Sequence, residues 1–266
     1  MTSRVIITGA ASGIGLATAT RLRRLGHRVI GLDLHPDGAQ TLACDVTDQH
    51  SVDTAVAAAI STLGGLDVLV NCAGVGFSQS AGEAPGPDAE LVIAVNLLGP
   101  WRVTSAALQA LRTARGRVVN VSSGMAFMGA PFAPAYCMSK HGVVGYSDSL
   151  RYEHRDAIEV STFYPGYVKT PIHQDSQDKG FSFDGLVRAE PVEAVAKRLA
   201  DTAVGRYHRD VASSIALTVS FAFLRRLPRG LIDLAINTRV RSALRTPPPG
   251  GWPAAVERYV RATRTS

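Results

Sequence analysis

The stretch Arg4-Val5-Ile6-Ile7-Thr8-Gly9-Ala10-Ala11-Ser12-Gly13-Ile14-Gly15 decides the fold of this chain. It reads as a short β-branched strand, a glycine-rich turn and the start of a helical pattern that continues from Leu16 to Leu25. Glycines in such a turn let the backbone approach a pyrophosphate, and the N-terminus of the following helix stabilises the negative charge. The loop therefore predicts a dinucleotide site with these contacts: Gly9, Ser12, Gly13, Ile14 and Gly15.

The alternation of strand and helix patterns continues along most of the chain. The further predicted strands are Arg28–Asp33, Leu42–Asp45, Val68–Asn71, Arg117–Ser122, Glu159–Tyr164 and Tyr207–Val211, and the further predicted helices include Ser51–Leu63 and Glu90–Leu111. This order predicts an α/β fold, a Rossmann-type doubly wound parallel sheet of about seven strands with helices on both faces, in a single domain. Because only Leu34 to Leu42 separates the second and third strands, the crossover helix there is expected to be abbreviated or missing.

The bulk composition fits one globular domain and excludes several other classes. Of the 266 residues 46% are hydrophobic and 19% are charged, which indicates neither disorder nor a coiled coil. Three cysteines without a Cys-x-x-Cys pair indicate neither a disulfide framework nor a zinc site, and the histidines show no ligand spacing, so no metal is predicted. The first strand begins beside Met1, which leaves no room for a signal peptide, and we expect a cytoplasmic protein.

The chain is expected to divide into one large functional unit and a short terminal segment. Residues 1–246 are predicted to form the dinucleotide-binding and catalytic domain. Within it, residues 171–190 mix polar and aromatic side chains, which is typical of a segment that covers a substrate. Residues 247–266 are predicted to be a Pro/Gly-rich break followed by a short helix over 254–263.

Acidic and amide side chains follow three of the predicted strands. Asp33 ends the second strand, where a carboxylate accepts hydrogen bonds from the adenosine ribose and repels a 2′-phosphate of about −1.5 to −2 charges. Since the glycine loop contains no Arg or Lys to compensate, NAD is favoured over NADP. The carboxyl ends of parallel strands meet at one edge, so the residues after the third and fourth strands are also predicted to contact the cofactor: Asp45, Val46, Asn71, Ala73 and Gly74.

Tyr136 and Lys140 stand four residues apart, and on a helix this spacing places both on one face. A free tyrosine has a pKa of about 10 and is a poor base near neutral pH. A cation about 4 Å from the phenolate, at an effective dielectric of about 20, is worth roughly 4 kcal/mol, or about three pKa units. The pair therefore predicts a phenol that acts as a general acid and base.

Together these motifs resemble the short-chain dehydrogenase/reductase family in its single-domain form. The resemblance covers about residues 4 to 210 and rests on motifs that occur in the family's order. They are the glycine loop at 8–15, Asn-x-Ala-Gly at 71–74, Asn96 in a helix, Ser123 with Tyr136-x-x-x-Lys140, and Pro165-Gly166-Tyr167-Val168-Lys169-Thr170. The shortened 34–42 loop departs from the family, and the last sixty residues match it least.

The resemblance implies a role for each matching residue. Tyr136 would exchange the proton, Ser123 would hydrogen-bond the reacting oxygen, and Lys140 would hold the nicotinamide ribose while lowering the tyrosine pKa. Ser122 is adjacent, but the family spacing of thirteen residues to the tyrosine favours Ser123. The remaining implied roles are a water held by Asn96 that links Lys140 to solvent, and cofactor contacts from Pro165, Gly166, Val168 and Thr170. Family members of this size commonly form homodimers or homotetramers through the helices that carry Asn96 and Tyr136.

The predicted function is hydride transfer between NAD and a lipophilic secondary alcohol or ketone, such as a steroid-like, terpenoid or long-chain compound. The preference for a lipophilic substrate rests on apolar residues expected at the pocket, although each also fits a core position: Phe77, Met125, Phe127, Met128, Phe132, Tyr167, Phe181 and Phe183. Two alternatives stay open. One is an NADP-dependent ketoreductase acting on acyl substrates, and the other is a dinucleotide-binding sensor of the same fold without turnover.

The C-terminal segment 211–246 is both apolar and basic. Val211 to Leu224 is nearly all apolar, but it is shorter than the about 20 residues that span a bilayer. It is followed by Arg225-Arg226 and a second apolar run, so it fits a lid, an oligomer contact or an interfacial element that associates with a membrane. The net charge of +6 is not accompanied by a base-stacking aromatic series or a nucleic-acid motif, so no nucleic acid is expected as a partner.

Overall fold

The computed structural model describes residues 2–36, 38–174 and 188–224, and after these residues 226–228, 230–231, 233–234 and 238. Within them, seven strands form one parallel sheet in the order β3-β2-β1-β4-β5-β6-β7. The strands are β1 (Arg4–Thr8), β2 (Arg28–Asp33), β3 (Thr41–Ala43), β4 (Val68–Asn71), β5 (Arg117–Val121), β6 (Glu159–Tyr164) and β7 (Asp210–Ala212). The predicted doubly wound sheet is confirmed.

Helices cover both faces of the sheet. They are α1 (Gly13–Arg24), α2 (Gln49–Leu63), α3 (Pro87–Ile93), α4 (Gly99–Ala114), α5 (Pro134–His154), α6 (Val192–Val204) and α7 (Ile215–Leu224). Side chains alternate across the central strand: Val5 and Ile7 pack in the core layer shared with α1 and α6, and Ile6 packs in the layer shared with α2 and α4. All three are fully buried, which is the reason that this strand is continuously apolar.

The link between β2 and β3 contains no helix among its described residues, as the short 34–42 segment predicted. β3 begins at Thr41 and ends at Ala43, so the predicted strand over Leu42–Asp45 was placed slightly too late. The seventh strand is present but spans Asp210–Ala212 instead of Tyr207–Val211. It pairs with the end of β6, where Thr162 lies opposite Asp210.

The predicted helix over Glu90–Leu111 is divided in two by a π-helical turn at Ala94–Leu98. Pro100 has no N–H, so the carbonyl of Asn96 cannot accept the usual hydrogen bond from four residues further on, and the backbone widens there. By length and composition alone, the continuous run Pro87–Ala114 could cross a membrane. Its side chains Val92, Val103 and Leu111 are fully buried within the domain, as in a core helix.

Candidate active site

The site lies at the carboxyl edge of the sheet, where the strand order reverses between β1 and β4. Thr8 joins the two strands at this point, because its hydroxyl accepts hydrogen bonds from the backbone amides of Cys72 and Ala73, both at 3.0 Å. The glycine loop and the Asn-Cys-Ala-Gly segment therefore form the two walls of one crevice. Sequence reasoning placed both segments at this edge but did not single out the Thr8 side chain.

Glycine is required in the loop by both conformation and space. Gly9 and Gly13 have φ angles of +68° and +52°, in the left-handed region. A Cβ on Gly15 would lie 2.0 Å from the carbonyl oxygen of Gly9, so α1 can approach the loop this closely only without a side chain there. The Ser12 side chain does not cap α1, and the first turn of this helix carries no acidic residue. A helix start of this kind fits the binding of a pyrophosphate at its backbone amides.

Asp33 is held at the end of β2 by the loop itself. Its Oδ2 accepts a hydrogen bond from the Ala11 amide at 2.9 Å, and its Oδ1 accepts one from the His35 amide at 3.1 Å. Both bonds fix the position of the carboxylate beside the glycine turn. The predicted ribose-binding carboxylate thus stands at the same crevice as the predicted pyrophosphate site.

Side-chain hydrogen bonds of Asn71 and Asp45 hold the ends of β4 and β3 in place. The Asn71 amide points into the core, where Nδ2 donates to Thr104 Oγ1 at 3.0 Å and to Asn120 Oδ1 at 2.8 Å. These bonds tie β4 to α4 and β5, so the Asn71 side chain has a structural role, while its backbone ends β4 at the predicted edge of the sheet. The Asp45 carboxylate accepts bonds from the amide and hydroxyl of Thr47, which shapes the turn before α2.

Val46 and Gly74 are placed by close packing. Val46 is 8% exposed and packs against the start of α4, since a Cβ on Gly99 would lie 3.0 Å from Val46 Cγ2. A Cβ on Gly74 would lie 3.3 Å from Asn96 Oδ1 and 3.8 Å from Lys140 Nζ. The segment after β4 therefore lies directly against Asn96 and Lys140, which are predicted to be catalytic.

The two adjacent serines at the end of β5 have different partners. Ser122 is buried and donates a hydrogen bond from its hydroxyl to the Lys140 carbonyl at 2.8 Å, which anchors α5 to the strand. Ser123 is hydrogen-bonded to the Tyr136 hydroxyl, and its own Oγ also accepts from the Met125 amide at 3.2 Å. The structure therefore places Ser123, not Ser122, beside the phenol.

Lys140 lies one helical turn from Tyr136 and is 4% exposed. Its Nζ donates a hydrogen bond to the Val121 carbonyl at 3.1 Å and lies 5.5 Å from the centroid of the Tyr136 ring. Burial lowers the pKa of Lys140 to about 8, an effect that the nearby Cys72 partly offsets. The helical spacing thus brings the ammonium to the ring, as predicted, and places it inside the protein.

The expected lowering of the tyrosine pKa needs a correction for the protein alone. Burial raises the pKa of Tyr136 to about 12, while the hydrogen bond from Ser123 acts in the opposite direction. At 5.5 Å from the ring centroid, Lys140 does not overcome this desolvation. An acidic phenol at neutral pH therefore requires a further positive charge at the site.

Asn96 links the π-helical turn to the catalytic helix. Its Oδ1 accepts a bond from the Val75 amide at 2.8 Å, and its Nδ2 donates to the Val75 carbonyl at 2.9 Å and to Ser139 Oγ at 3.3 Å. Ser139 in turn donates to the Tyr136 carbonyl at 2.8 Å. The side chain of Asn96 therefore positions the segment after β4 and the start of α5 relative to each other.

The segment after β6 closes the crevice opposite the glycine loop. Pro165 and Val168 are buried, and Thr170 reaches the loop, since a Cβ on Gly13 would lie 3.3 Å from Thr170 Cγ2. The Gly166 amide donates to Ser213 Oγ at 2.9 Å and to a Glu190 carboxylate oxygen at 3.1 Å.

Glu190 and Ser213, which are themselves hydrogen-bonded to each other, were missed by sequence reasoning. They lie 24 and 47 residues from Gly166 in sequence, and no local pattern signals the contact. Their role is to hold the turn at Pro165-Gly166 in place.

The predicted pocket residues separate into different surroundings. Phe127 packs against Tyr164, with ring centroids 4.8 Å apart, whereas Phe77 packs beside Tyr136 in a small cluster with Val92. Tyr167 contacts His173 with centroids 5.0 Å apart.

The other pocket residues also differ in their surroundings. Met125 and Met128 are partly buried beside the Ser123 loop, and Phe132 is 9% exposed. Phe181 and Phe183, most of the predicted covering segment and the predicted terminal helix lie outside the described residues.

Several features of the crevice fit a nicotinamide dinucleotide. The close approach of the loop at Gly9 and Gly15 leaves backbone amides at the α1 N-terminus, and Asp33 offers a carboxylate at the ribose position. The other end of the crevice has two hydroxyls that are hydrogen-bonded to each other, those of Tyr136 and Ser123, and the ammonium of Lys140. When bound, the nicotinamide would supply hydride chemistry and, in its oxidised form, a positive charge.

Comparison with known proteins points to one family. A family model described as short chain dehydrogenase matches residues 3–180. A putative ketoacyl reductase of Streptomyces coelicolor is 32% identical over 234 residues, covering 80% of this chain and 88% of that protein. D-threitol dehydrogenase of Mycolicibacterium smegmatis is 35% identical over 189 residues, covering 65% of this chain and 73% of that protein.

The fold is also shared with solved structures. A short chain dehydrogenase from Burkholderia cenocepacia, in complex with NADP, has a TM-score of 0.75 and 20% identity, covering 89% of this chain and 99% of that one. At this identity the likeness concerns the fold alone.

Proposed function

The chain belongs to the short-chain dehydrogenase family of oxidoreductases, and from this premise we propose that it transfers hydride between NAD and a lipophilic secondary alcohol or ketone. The observation that carries the proposal is the Tyr136 hydroxyl hydrogen-bonded to Ser123, with the Lys140 ammonium 5.5 Å from the ring. In alcohol oxidation Tyr136 accepts the hydroxyl proton, and in ketone reduction it donates a proton to the carbonyl oxygen. Ser123 holds that oxygen by a hydrogen bond.

The tyrosine needs help to ionise, and the site can provide it. Its pKa of about 12 in the protein alone reflects burial. Lys140, which would hold the nicotinamide ribose, already contributes one positive charge in the protein alone. Oxidised nicotinamide, when bound, would supply the second. Two positive charges near a phenolate in a site of low dielectric lower its pKa by several units. Proton transfer by Tyr136 is therefore coupled to cofactor binding.

The choice of NAD is supported by Asp33. Its carboxylate is fixed by the Ala11 and His35 amides at the end of β2, and a 2′-phosphate there would be repelled. The glycine loop offers no basic side chain that would reverse this preference.

The preference for a lipophilic substrate is supported by the aromatic rings near the catalytic loop. Phe127, which follows Ser123 by four residues, packs against Tyr164 and Phe221 with both centroid distances at 4.8 Å. The same three rings border a cavity of about 470 Å³. The rest of its lining is Ala212 with the polar residues Asp210, Thr218 and Arg226, so its aromatic side suits the apolar part of an organic molecule.

The decisive experiment compares wild type with Tyr136→Phe. The substitution removes one hydroxyl from a ring that is otherwise retained. We expect NAD reduction with a panel of secondary alcohols to fall by a factor of about 10³ or more, because general acid and base catalysis is lost. NADH binding, followed by the fluorescence of its reduced nicotinamide, should stay nearly unchanged. Turnover by the variant at the wild-type rate would refute the mechanism.

A second candidate function is the reduction of acyl ketones. It is favoured by relatives named as ketoacyl reductases from Streptomyces, one of which is 38% identical over 192 residues. The same Tyr136, Ser123 and Lys140 would serve this reaction, so only the substrate and the cofactor differ. Assay of a β-ketoacyl thioester with NADH and with NADPH separates the two candidates. A preference for NADPH and the thioester would replace the first proposal.

A sensor without turnover is the third possibility that the sequence left open. Both Tyr136 and Lys140 are present, with the Lys140 Nζ 5.5 Å from the centroid of the Tyr136 ring, and this arrangement favours catalysis over sensing. The alcohol panel described above also tests this alternative, since a sensor would bind NAD without reducing it.

A further inference from the structure

The outer face of α7 exposes a stripe of large apolar side chains. Ile215, Val219 and Phe223 are 77, 64 and 62% exposed and recur every four residues, so they lie along one side of the helix. Beyond the helix, Leu231 and Leu234 are 54 and 64% exposed. Contiguous apolar surface of this kind is unfavourable in water and marks an interaction surface.

The opposite face of α7 holds the helix firmly on the domain. Phe221 is 9% exposed and packs on Phe127, while Leu217 joins the same cluster. A Cβ on Gly124 would lie 2.9 Å from the Phe221 ring, so this ring rests directly on the residue after Ser123. The helix is thus apolar on both faces, and only one of them is used inside the described residues.

The net charge of the protein is concentrated immediately after α7. Residues 225–266 contain nine arginines and only two acidic residues, Asp233 and Glu257, for a net charge of +7. Residues 1–224 contain 19 basic and 20 acidic residues, for a net charge of −1. An exposed apolar stripe therefore leads directly into the basic part of an otherwise neutral chain.

We propose that the outer face of α7 docks this protein on an anionic phospholipid surface. The apolar side chains would enter the boundary between headgroups and acyl chains, and the net charge of +7 in the sequence after the helix would favour anionic lipids over neutral ones. A second copy of the chain fits less well, because it would bring two strongly positive segments together. An anionic bilayer complements both properties at once.

This docking has a consequence for the active site. Because Phe221 rests on Gly124, the membrane-facing helix lies against the catalytic loop. The cavity bordered by Phe127, Tyr164 and Phe221 also lies along the inner side of α7. Docking through α7 would therefore bring the loop after Ser123 close to the bilayer surface.

The test uses the full chain without cofactor or substrate, so that its outcome does not depend on the proposed reaction. The protein is sedimented with vesicles of phosphatidylcholine mixed with phosphatidylserine, or of phosphatidylcholine alone, at low and high ionic strength. We expect strong binding to the anionic vesicles at low ionic strength, and weaker binding in salt or to neutral vesicles. Phe223→Asp should lower the partition coefficient about tenfold, since it replaces an inserting ring by a repelled charge.

The matched control is Leu25→Asp at the end of α1. Leu25 is 54% exposed, similar to Phe223, but lies outside the stripe on α7. The control should bind vesicles like wild type, and circular dichroism should show that both variants are folded. Equal binding by wild type and Phe223→Asp, or no binding to anionic vesicles, would overturn the proposal. Concentration-dependent self-association that Phe223→Asp abolishes, in the absence of vesicle binding, would assign the stripe to a second copy instead.

Discussion

Lys140 shows how a single buried charge sets a condition for function. Its pKa is lowered to about 8 by burial, and its hydrogen bond to the Val121 carbonyl keeps the ammonium close to Tyr136. In the unfolded chain the same amine has its ordinary pKa of 10.5. Burial of this ammonium therefore lowers the free energy of unfolding, and a ligand that offers acceptor oxygens to Lys140 would offset this loss.

The stability cost of Lys140 has a definite pH window. Below pH 8 the amine is protonated in both states, so the full cost is present. Between pH 8 and 10.5 only the unfolded state binds the proton, and stability due to this group therefore rises with pH. Lys140→Met removes the charge while keeping most of the volume. We expect the variant to be more stable at pH 7, by up to about 3 kcal/mol for a shift of this size.

Unfolding by denaturant, measured without cofactor at a series of pH values, checks this prediction. The stability difference between Lys140→Met and wild type should narrow steadily from pH 8 to 10.5. Groups that do not interact with Lys140 are common to both proteins and cancel in the difference. Burial raises the pKa of Cys72 to about 11 while Lys140 acts to lower it, so both proteins carry Cys72→Ala for this measurement. A difference that does not change with pH would show that burial of the ammonium is not its source.

The Asp33 carboxylate is the basis for proposing NAD over NADP, because it would repel a 2′-phosphate. Asp33→Ala removes the carboxylate and the bonds it accepts from Ala11 and His35. We expect kcat/KM with NAD to fall about tenfold and the ratio of NADP to NAD use to rise, since hydrogen bonds to a charged group are worth about 1.5–3 kcal/mol. Asp48→Ala is the control, because Asp48 also accepts two backbone bonds but caps α2. An unchanged cofactor ratio in Asp33→Ala would remove the basis for proposing NAD.

Among the elements, α1 depends most strictly on one residue. A Cβ on Gly15 would lie 2.0 Å from the Gly9 carbonyl oxygen, so Gly15→Ala must push the helix away from the loop. We expect the variant to lose most of its dinucleotide affinity and to unfold at a lower temperature, because overpacking costs about 1–3 kcal/mol. Dinucleotide titration and thermal unfolding measure both effects.

Gly145→Ala is the matched control for that substitution. Gly145 is also helical, on α5, and a Cβ there would have no atom within 4 Å. It should raise stability by about 0.5–1 kcal/mol through the higher helix propensity of alanine, with dinucleotide affinity unchanged. If both variants bind dinucleotide like wild type, the close approach of α1 to the loop is not needed for binding.

The predicted single helix between β4 and β5 was correct in its extent but not in its continuity. Its hydrophobic period extends over Glu90–Leu111 and predicts one helix, but the structure has a π-helical turn at Ala94–Leu98. The cause, Pro100, is visible in the sequence, although its effect could equally have been a kink or a break. Packing around the buried Asn96 decided among these outcomes.

At the scale of the whole molecule, the outer surface of α4 and α5 is the second apolar face. Trp101 is 60% exposed and stacks on Tyr146 with centroids 5.7 Å apart, and Met138 is 63% exposed. These helices follow Asn96 and carry Tyr136, and family members commonly pair through them. We propose that this face forms a homodimer or homotetramer.

Trp101→Glu tests the proposed assembly. We expect light scattering to give a lower molar mass in solution, because association would bury the new carboxylate without a partner of opposite charge. Leu25→Glu is the control, because Leu25 is also an exposed apolar residue and lies at the C-terminal cap of α1, away from this face. This variant should keep the wild-type molar mass. A wild-type protein that is monomeric at all concentrations would remove the proposal of assembly.

Prediction from sequence succeeded where the signal is local. The strand and helix patterns, the glycine loop, Asp33 at the end of β2 and the Tyr136–Lys140 spacing are each set by neighbours within a few residues. Backbone hydrogen bonding and hydrophobic period act over that range, so the order of elements and the parallel sheet followed from the chain. The seven-strand fold and the family were determined in this way.

Tertiary structure decided what depends on partners distant in sequence. Whether Ser122 or Ser123 faces Tyr136, and whether the Asn71 amide turns to the crevice or to Asn120, depends on which face of each strand meets which helix. Burial by the whole domain, and not the spacing of Tyr136 and Lys140, sets their pKa values. Desolvation and packing sum over atoms from the entire fold, and for that reason no local stretch of sequence contains them.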